Sequence, residues 1–296
     1  MSKLQRRKIR NFWLFVLPAL VLYTALWILP LLFNACVSLT NWNGINPLSR
    51  VKYMALKNYA TAFKDGVFQK AITHNLQFTL LNALCIPALF FLTAIAIEKS
   101  CIKGKAFFRV SLYIPAVLPM LLVSILFRWI YSADGGLLNE LLDLLGLPQW
   151  QRNFLGDYQV ALGSLFVINV WKNVPFYMTI LISALQSVPA DQEEAIQLDG
   201  AGFWGSIFHV VIPSIRPVLN VVVSLVLIDG FRVFDLVFNT TKGGPAYSTE
   251  VMGTLIYRVA FSDSRLGYAT ALSMINVAVV LLISVIYNRC GREKED

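Results

Sequence analysis

The sequence predicts an all-α membrane protein that crosses the bilayer six times. The chain has 296 residues, of which 57% are hydrophobic and only 14% charged, and its mean hydropathy is +0.62. Its apolar runs are each roughly 20 residues or longer, the length that a helix needs to span the hydrocarbon core. Helices are expected because an unpaired backbone group costs several kcal/mol in hydrocarbon. The runs are also too evenly apolar for the alternating strands of a barrel.

The predicted spans follow from these apolar runs. They lie at about 13–36, 72–97, 107–131, 160–185, 213–238 and 267–287. Together they predict a transmembrane domain over 12–288, with an N-terminal tail at 1–11 and a C-terminal tail at 289–296. Proline lacks an N–H group and its ring clashes with the preceding turn, so it kinks or breaks a helix. Such positions are expected at Pro18, Pro87, Pro115, Pro119 and Pro175.

Basic residues near the span ends predict the orientation. They form three groups: Lys3, Arg6, Arg7, Lys8 and Arg10; Lys99, Lys103, Lys105 and Arg109; Arg289, Arg292 and Lys294. With six spans, all three groups fall on one side, and the positive-inside rule makes that side cytoplasmic. Both termini are therefore expected in the cytoplasm, and the first run is too long for a cleaved signal peptide. These juxtamembrane residues account for the net charge of +8 without any nucleic-acid partner.

Three turn-rich segments are expected on the external side, at about 40–71, 132–154 and 239–267. The second carries Leu137, Leu138, Leu141, Leu142 and Leu145 on one stripe, which predicts a short amphipathic helix. That stripe can pack on the bundle or bind a partner. The third is expected to form a helix over Val251–Phe261.

Motifs for catalysis or nucleotide binding are missing. The chain has no GxxxxGK[ST] loop to hold nucleotide phosphates. Its two histidines, His74 and His209, are far apart, so neither an HExxH zinc site nor a histidine-based triad can be assembled. No cofactor is expected on this chain, and a membrane-embedded enzyme is disfavoured.

The segment at 191–217 is the long polar interruption between the fourth and fifth spans. Asp191–Leu198 predicts a short helix with acidic residues in its first turn, where they favour the helix dipole. Gly200 permits a turn, and apolar residues at three- and four-residue spacing from Phe203 predict a second, amphipathic helix. Pro213 is expected to end that helix and open the fifth span. Two interpretations stay open: a helix on the membrane interface or a docking site for a soluble partner.

The residues of this segment resemble the EAA motif of permease subunits of ABC importers. The matching residues are Glu194, Ala195, Asp199, Gly200 and Ala201, then Phe208 and Pro213. Ile196 departs from the alanine that is common at the third position. Further segments are similar to the maltose-type branch of sugar importers: 103–109 with Pro115 and Pro119, 169–171 with Pro175, 241–245 and 267–271.

The resemblance implies a type I ABC importer permease fold in the inner membrane of a bacterium or archaeon, with the region 191–212 as a cytoplasmic coupling segment. It also implies two ABC ATPase subunits, which carry ATP and Mg, a second homologous permease and an extracytoplasmic solute-binding protein. The expected substrate is a sugar or oligosaccharide, with glycerol phosphate or another polar solute as the alternative. A transporter driven by an ion gradient is disfavoured because the sequence shows no internal repeat.

Polar residues inside spans are candidate substrate contacts, because burying them in a membrane is expensive. The candidates are Asp229, Arg232, Phe234 and Asp235 in the fifth span, and Asn169, Trp171, Lys172, Asn173 and Tyr177 in the fourth. Asp229 and Arg232 are three residues apart, so they can instead pair with one another. Lys172 can line the pathway or extend to the membrane interface. His74 and Asn75, near the outer end of the second span, are expected to have an interfacial role.

Overall fold

The structure is a computed structural model, and it describes residues 3–98 and 104–292. Within these ranges the chain is helical, and its only β-pairing is an isolated bridge between Thr40 and Tyr53. The predicted all-α class is confirmed. Lys99, Lys103 and Lys294, three of the basic residues used for the orientation, lie outside the described residues.

Fourteen α-helices follow one another along the described chain. The first seven are α1 (Lys3–Tyr23), α2 (Leu29–Ser38), α3 (Lys57–Lys64), α4 (Gly66–Glu98), α5 (Lys105–Val117), α6 (Met120–Ile130) and α7 (Leu137–Leu144). The other seven are α8 (Ala161–Gln186), α9 (Ala190–Leu198), α10 (Phe203–Ser206), α11 (Ile212–Asp229), α12 (Phe234–Thr240), α13 (Met252–Tyr257) and α14 (Leu266–Arg292).

Five continuous helical stretches are long and apolar enough to cross a membrane. They are Asn11–Ser38, Gly66–Glu98, Ala161–Gln186, Phe203–Asp229 and Leu266–Arg289. A sixth candidate consists of α5 and α6, which are bent by 95° relative to each other.

The contacts between α4 and α8 favour counting the bent pair as one span. Phe78 lies beside Phe166, with ring centroids 6.2 Å apart, and Gln186 Nε2 donates to Glu98 Oε1 at 3.3 Å. The later residue of α4 thus pairs with the later residue of α8, and the earlier with the earlier, so α4 and α8 run parallel. Two parallel spans require the chain to return across the bilayer between them. Among the described residues between them, only the bent pair is long and apolar enough to do so. Counted as one span, the bent pair brings the candidate spans of the described chain to six, the number expected from the sequence.

Proline breaks only one of these helices. At Leu118 and Pro119 the backbone is extended, with ψ values of 131° and 141°, and α5 ends there. The expectation that Pro213 starts a new helix is wrong, because α10 continues into α11 through a π turn at Ile207–Val211. In that turn the N–H of Ile212 donates to the O of Ile207, five residues back. The wider turn accommodates a residue that cannot donate.

The fifth span differs from the predicted 213–238 for the same reason. Its helical stretch runs from Phe203 to Asp229, and α12 is a separate helix that begins at Phe234. A similar π turn at Thr24–Ile28 precedes Pro30 in the first span. The remaining intrahelical prolines named above, Pro18, Pro87, Pro115 and Pro175, lie inside continuous helices.

The chain divides into two compact units, of which the smaller comprises 1–65 and 256–277. In this unit Asn58 Nδ2 donates to the carbonyl oxygens of Ser38 and Thr40, both at 2.8 Å. The backbone of Gly267 lies against Thr40, where a Cβ atom would come within 2.1 Å of the Thr40 oxygen. Glycine is therefore required at 267 for the close approach.

The larger unit comprises 66–255 and 278–296, and it has two hydrophobic clusters. One cluster is formed by residues such as Ile86, Phe90, Leu181, Val211 and Val222. The other is formed by residues such as Phe78, Val123, Ile168, Leu236 and Val237. On α4 and α8 the clusters are separated by a layer of polar side chains.

Candidate functional site

Amide side chains from α4 and α8 form the core of the polar layer. Asn169 Nδ2 donates to Asn82 Oδ1 at 3.0 Å, and Asn173 Nδ2 donates to Asn169 Oδ1 at 2.8 Å. Asn82 and Asn169 are 1% and 3% exposed. Because buried polar groups need partners, this chain of amides aligns α4 with α8 and fixes the orientation of Asn173.

Asp229 joins the layer from the end of α11. Tyr177 Oη donates to Asp229 Oδ2 at 2.5 Å. The adjacent Gly230 lies so close to Thr79 that a Cβ atom would come within 2.4 Å of the Thr79 hydroxyl oxygen. Asn75 Nδ2 also donates to the Gly230 carbonyl oxygen at 3.0 Å. The end of α11 is thus held against α4, and Asp229 has a fixed position.

An inner polar cavity of about 270 Å³ opens beside this layer. It is lined by Asn169, Asn173, Asp229, Arg232, Asp235, Met120, Val233 and Leu236. Arg232 Nη1 is 4.0 Å from Asp229 Oδ1, and its side chain is 76% exposed. The sequence allowed Asp229 and Arg232 to pair with one another. In the structure they make only a long contact, and Tyr177 is the close partner of Asp229. The cavity combines hydrogen-bond donors and acceptors with charges of both signs.

Three other candidate residues lie away from the inner polar cavity. Trp171 packs on Phe127, with ring centroids 5.2 Å apart, and lines a separate apolar cavity of about 710 Å³. Phe234 stacks on Phe238, with centroids 5.0 Å apart. Lys172 Nζ donates to the Ala116 carbonyl oxygen at 2.8 Å. This carbonyl belongs to the last turn of α5, where a cation is favoured.

Two polar residues that organise the layer were missed or misassigned from the sequence: Asn82 was missed, and Asn75 was given a different role. Asn82 is a single amide in an apolar span, and no pattern in the sequence distinguishes it from other isolated polar residues. Asn75 is fully buried and also accepts from the Met252 N–H at 2.7 Å, so the expected interfacial role is wrong. Its neighbour His74 contacts the Glu250 carbonyl oxygen through Nδ1 at 2.7 Å. A signal was available in that adjacent polar pair within an apolar segment.

The second candidate site is the coupling segment, residues 191–212. Asp191 and Glu193 lie in the first turn of α9, as expected from the helix dipole. The helix ends with the Gly200 N–H donating to Gln197 O and the Ala201 N–H donating to Ile196 O, both at 3.0 Å. Gly200 has a φ of +88°, the left-handed conformation that glycine adopts without strain.

Most of the EAA-like residues are exposed. Glu194, Ala195, Asp199, Gly200, Phe208 and Pro213 are exposed, and Ala201 is half-buried. Large apolar side chains accompany them: Leu198 is 88% exposed and Trp204 is 55% exposed. Trp204 stacks on Phe208, with ring centroids 6.2 Å apart. The segment thus presents carboxylates and apolar side chains side by side. Exposed apolar side chains of this kind can bury their surface against a partner or against the membrane interface.

Neither site has the composition of a metal centre. In the parts of the chain that the structure describes, no three His, Cys, Asp or Glu side chains are grouped so that they could hold a metal ion.

Comparisons with known proteins identify the family. Residues 102–292 match a family described as the inner membrane component of binding-protein-dependent transport systems. The chain is 32% identical to the probable ABC transporter permease protein YurN of Bacillus subtilis, over 95% of this chain and 97% of that protein. It is 31% identical to the multiple sugar-binding transport system permease protein MsmF of Streptococcus mutans, over 96% of each chain.

A solved structure shows the same fold. A chain in the crystal structure of a bacterial alginate ABC transporter, in complex with an alginate pentasaccharide-bound periplasmic protein, superimposes with a TM-score of 0.86. The match covers 99% of this chain and 98% of that chain at 23% identity. The expected ABC importer permease fold is confirmed. The chain belongs to the family of inner membrane components of binding-protein-dependent transport systems, as a permease subunit of an ABC transporter.

Proposed function

We propose that this permease imports a neutral carbohydrate and that the inner polar cavity contacts it. The supporting observation is the layer of amides, carboxylates and a guanidinium around this cavity. Sugar hydroxyl groups both donate and accept hydrogen bonds, so they can pair with all three kinds of side chain. The name of the relative from Streptococcus mutans also refers to sugars.

The charge of the cavity favours a neutral substrate over glycerol phosphate. Asp229 and Asp235 carry two negative charges and Arg232 one positive charge, which leaves a formal charge of −1 among the lining residues. A phosphate group would meet net repulsion there, whereas a neutral sugar would not. Among the substrates considered from the sequence, a neutral sugar or oligosaccharide is therefore preferred.

The coupling segment is proposed to dock on an ABC ATPase subunit. The exposed carboxylate of Glu194 can pair with basic groups of the ATPase, and Leu198, Trp204 and Phe208 can bury their exposed surface against it. The Gly200 bend sets the angle between α9 and the following helix. Two ATPases, with their own ATP and Mg, would then drive a pair formed by this chain and a second permease. The chain itself is a transporter subunit and not an enzyme.

The proposed orientation follows from the basic residues and the parity of the spans. With six crossings, the coupling segment and both termini lie in the cytoplasm, and α7 lies outside. An extracytoplasmic binding protein would deliver the sugar to the external surface. The membrane would be the inner membrane of a bacterium or archaeon.

Uptake by the complete complex tests this function. Proteoliposomes that contain both permeases, the ATPases and the binding protein are assayed with radiolabelled maltose, raffinose and glycerol 3-phosphate. We expect ATP-dependent uptake of at least one of the neutral sugars and none of glycerol 3-phosphate. Uptake of glycerol 3-phosphate alone would contradict the proposed substrate class, and uptake without ATP would contradict the mechanism.

The coupling role has its own variant in the same assay. Glu194→Lys reverses an exposed charge of the coupling segment, so we expect loss of uptake and of ATPase co-purification. Asp143→Lys makes the same charge change at an exposed position of α7 and serves as the matched control. Retention of the ATPase by Glu194→Lys would assign Glu194 no part in docking.

A further inference from the structure

A second polar cavity lies at the opposite end of α6 and α12 from the inner polar cavity. We propose that this outer cavity is a separate subsite for the hydroxyl groups of the carbohydrate, occupied before the inner cavity. The inference rests on the proposed function and adds a binding site to it. The outer cavity has a volume of about 310 Å³, which reaches the lower end of the range for ligand pockets, about 300 Å³.

The side chains of the outer cavity match a polyhydroxylated ligand. It is lined by Arg128, Tyr131, Asp134, Asn153, Thr240 and Thr241, among others. They supply a guanidinium, a phenol, a carboxylate, an amide and hydroxyl groups, which together donate and accept hydrogen bonds. One cation and one anion leave the lining formally neutral, so the cavity suits an uncharged solute.

Two of these groups, the Tyr131 hydroxyl and the Arg128 guanidinium, are available to a ligand. The Tyr131 ring is held between Phe127 and Phe154, with centroid distances of 5.5 and 5.4 Å, and the residue is only 6% exposed. Within residues 3–98 and 104–292, its hydroxyl group makes no hydrogen bond, and Arg128 makes no ion pair. A rigid ring thus presents a free hydroxyl group to the cavity, and such preorganisation favours binding.

The walls of the cavity are fixed by a buried amide. Asn139, 7% exposed, donates from Nδ2 to the Ser132 oxygen at 3.1 Å and to the Arg152 oxygen at 3.0 Å. Its Oδ1 accepts from the Arg152 N–H at 3.1 Å. The segments that carry Asp134 and Asn153 are thereby clasped together. The outer cavity is a built feature of the fold and not a gap between loose loops.

The two cavities are aligned along the same helices. Met120 lines the inner cavity and Tyr131 the outer one. They are 11 residues apart, close to three full turns, so they lie on the same side of α6 and about 16 Å apart along its axis. On α12, Leu236 of the inner cavity and Thr240 of the outer cavity are one turn apart and also share a face. A sugar that moves along this helix pair meets both cavities in turn.

Removal of the Tyr131 hydroxyl group tests the subsite. Tyr131→Phe retains the ring packing, so the fold is expected to persist, which the melting temperature and basal ATPase rate of the complex check. Uptake of maltose and raffinose into proteoliposomes is measured at a saturating concentration of liganded binding protein. We expect a fall of about two- to tenfold, the effect of one lost hydrogen bond. Tyr158→Phe removes a hydroxyl group from an exposed tyrosine outside the cavity and should leave uptake unchanged.

A second readout separates sugar binding from docking of the binding protein. The concentration of liganded binding protein that half-maximally stimulates the ATPase should be the same for Tyr131→Phe and the unmodified complex. Unchanged uptake in both Tyr131→Phe and Arg128→Ala would overturn the subsite. If saturating binding protein restored normal uptake by Tyr131→Phe, the subsite would also be overturned. The outer cavity would then be assigned to docking of the binding protein. If the unmodified complex takes up no carbohydrate, the proposed function fails and this subsite fails with it.

Discussion

At the scale of single residues, the hydrogen bond between Tyr177 and Asp229 links two spans at the inner polar cavity. Its length of 2.5 Å is typical of a hydroxyl group that donates to a carboxylate, and such bonds are stronger than those between neutral groups. The bond holds the carboxylate at the cavity wall, whereas Arg232 is 4.0 Å away on the exposed side. Tyr177 therefore positions Asp229, and under the proposed function Asp229 is the group that contacts the sugar.

Tyr177→Phe should reduce sugar uptake without loss of the complex. Hydrogen bonds to charged groups contribute about 1.5–3 kcal/mol, so the loss should lower uptake by roughly 10- to 100-fold if the position of Asp229 is needed. Tyr113→Phe removes a hydroxyl group from α5 outside the inner cavity and is the control. The uptake rate of each variant is measured in proteoliposomes. Equal uptake rates for Tyr177→Phe and Tyr113→Phe would mean that Asp229 needs no positioning.

The sequence allowed part of this site to be predicted. Charged and aromatic residues in apolar spans stand out by type, and Asp229, Arg232, Asp235 and Asn173 do line the inner cavity. Trp171 stood out equally but packs on Phe127, because the face on which a residue lies depends on how the helices pack. That packing is set by long-range contacts, which local periodicity does not encode.

At the scale of elements, the bend of the coupling segment depends on one backbone conformation. Gly200 has a φ of +88°, and a Cβ atom built there would meet nothing within 4 Å. The need for glycine is therefore conformational and not steric. Gly202, two residues later, has an extended backbone at φ −72° and ψ 177° and is equally open to a Cβ atom.

Gly200→Ala should weaken ATPase binding, whereas Gly202→Ala should not. A residue with a Cβ atom in the left-handed conformation costs about 1–2 kcal/mol, so the bend of the coupling segment should be populated less. We expect the dissociation constant of the permease–ATPase complex to rise by roughly 5- to 30-fold for Gly200→Ala. Asparagine tolerates this conformation better. The dissociation constant for Gly200→Asn should therefore lie between those for Gly200→Ala and Gly202→Ala. Equal dissociation constants for all three variants would show that the bend is not required.

Proline shows why the bounds of elements were harder to predict than their existence. The same residue type ends α5 at Pro119 but lies within a continuous helix at Pro213. At Pro213 the helix continues through the π turn at Ile207–Val211. At Pro119 α5 ends, and Lys172 Nζ donates to the Ala116 carbonyl oxygen in its last turn. The first outcome depends on the width of one helical turn, and the second involves a residue that is distant in sequence. Neither follows from the proline alone.

At the scale of the whole molecule, the number of crossings depends on the bent pair. With 13 and 11 residues, α5 and α6 are about 20 and 16 Å long, so neither alone spans the roughly 30 Å of hydrocarbon. The parallel contacts of α4 and α8 require one crossing between them. Five continuous spans and one bent span then give an even number, which agrees with basic residues at both ends of the chain.

Labelling of single cysteines tests this topology. In a chain whose four native cysteines are replaced by serine or alanine, Asp143→Cys lies on α7 and Gln192→Cys on α9, both at exposed positions. A membrane-impermeant maleimide should label Asp143→Cys in intact spheroplasts, and Gln192→Cys only after permeabilisation. Arg289→Cys, near the C-terminal end, should behave like Gln192→Cys because two spans separate them.

If α5 and α6 formed a re-entrant loop, α7 would lie on the same side as the end of α4. The positions on α7 and α9 would still label under opposite conditions. A third site, Gly104→Cys, lies directly before α5 and distinguishes the two topologies. It should label only after permeabilisation. Labelling of Gly104→Cys and Asp143→Cys under the same condition would show that the bent pair does not cross.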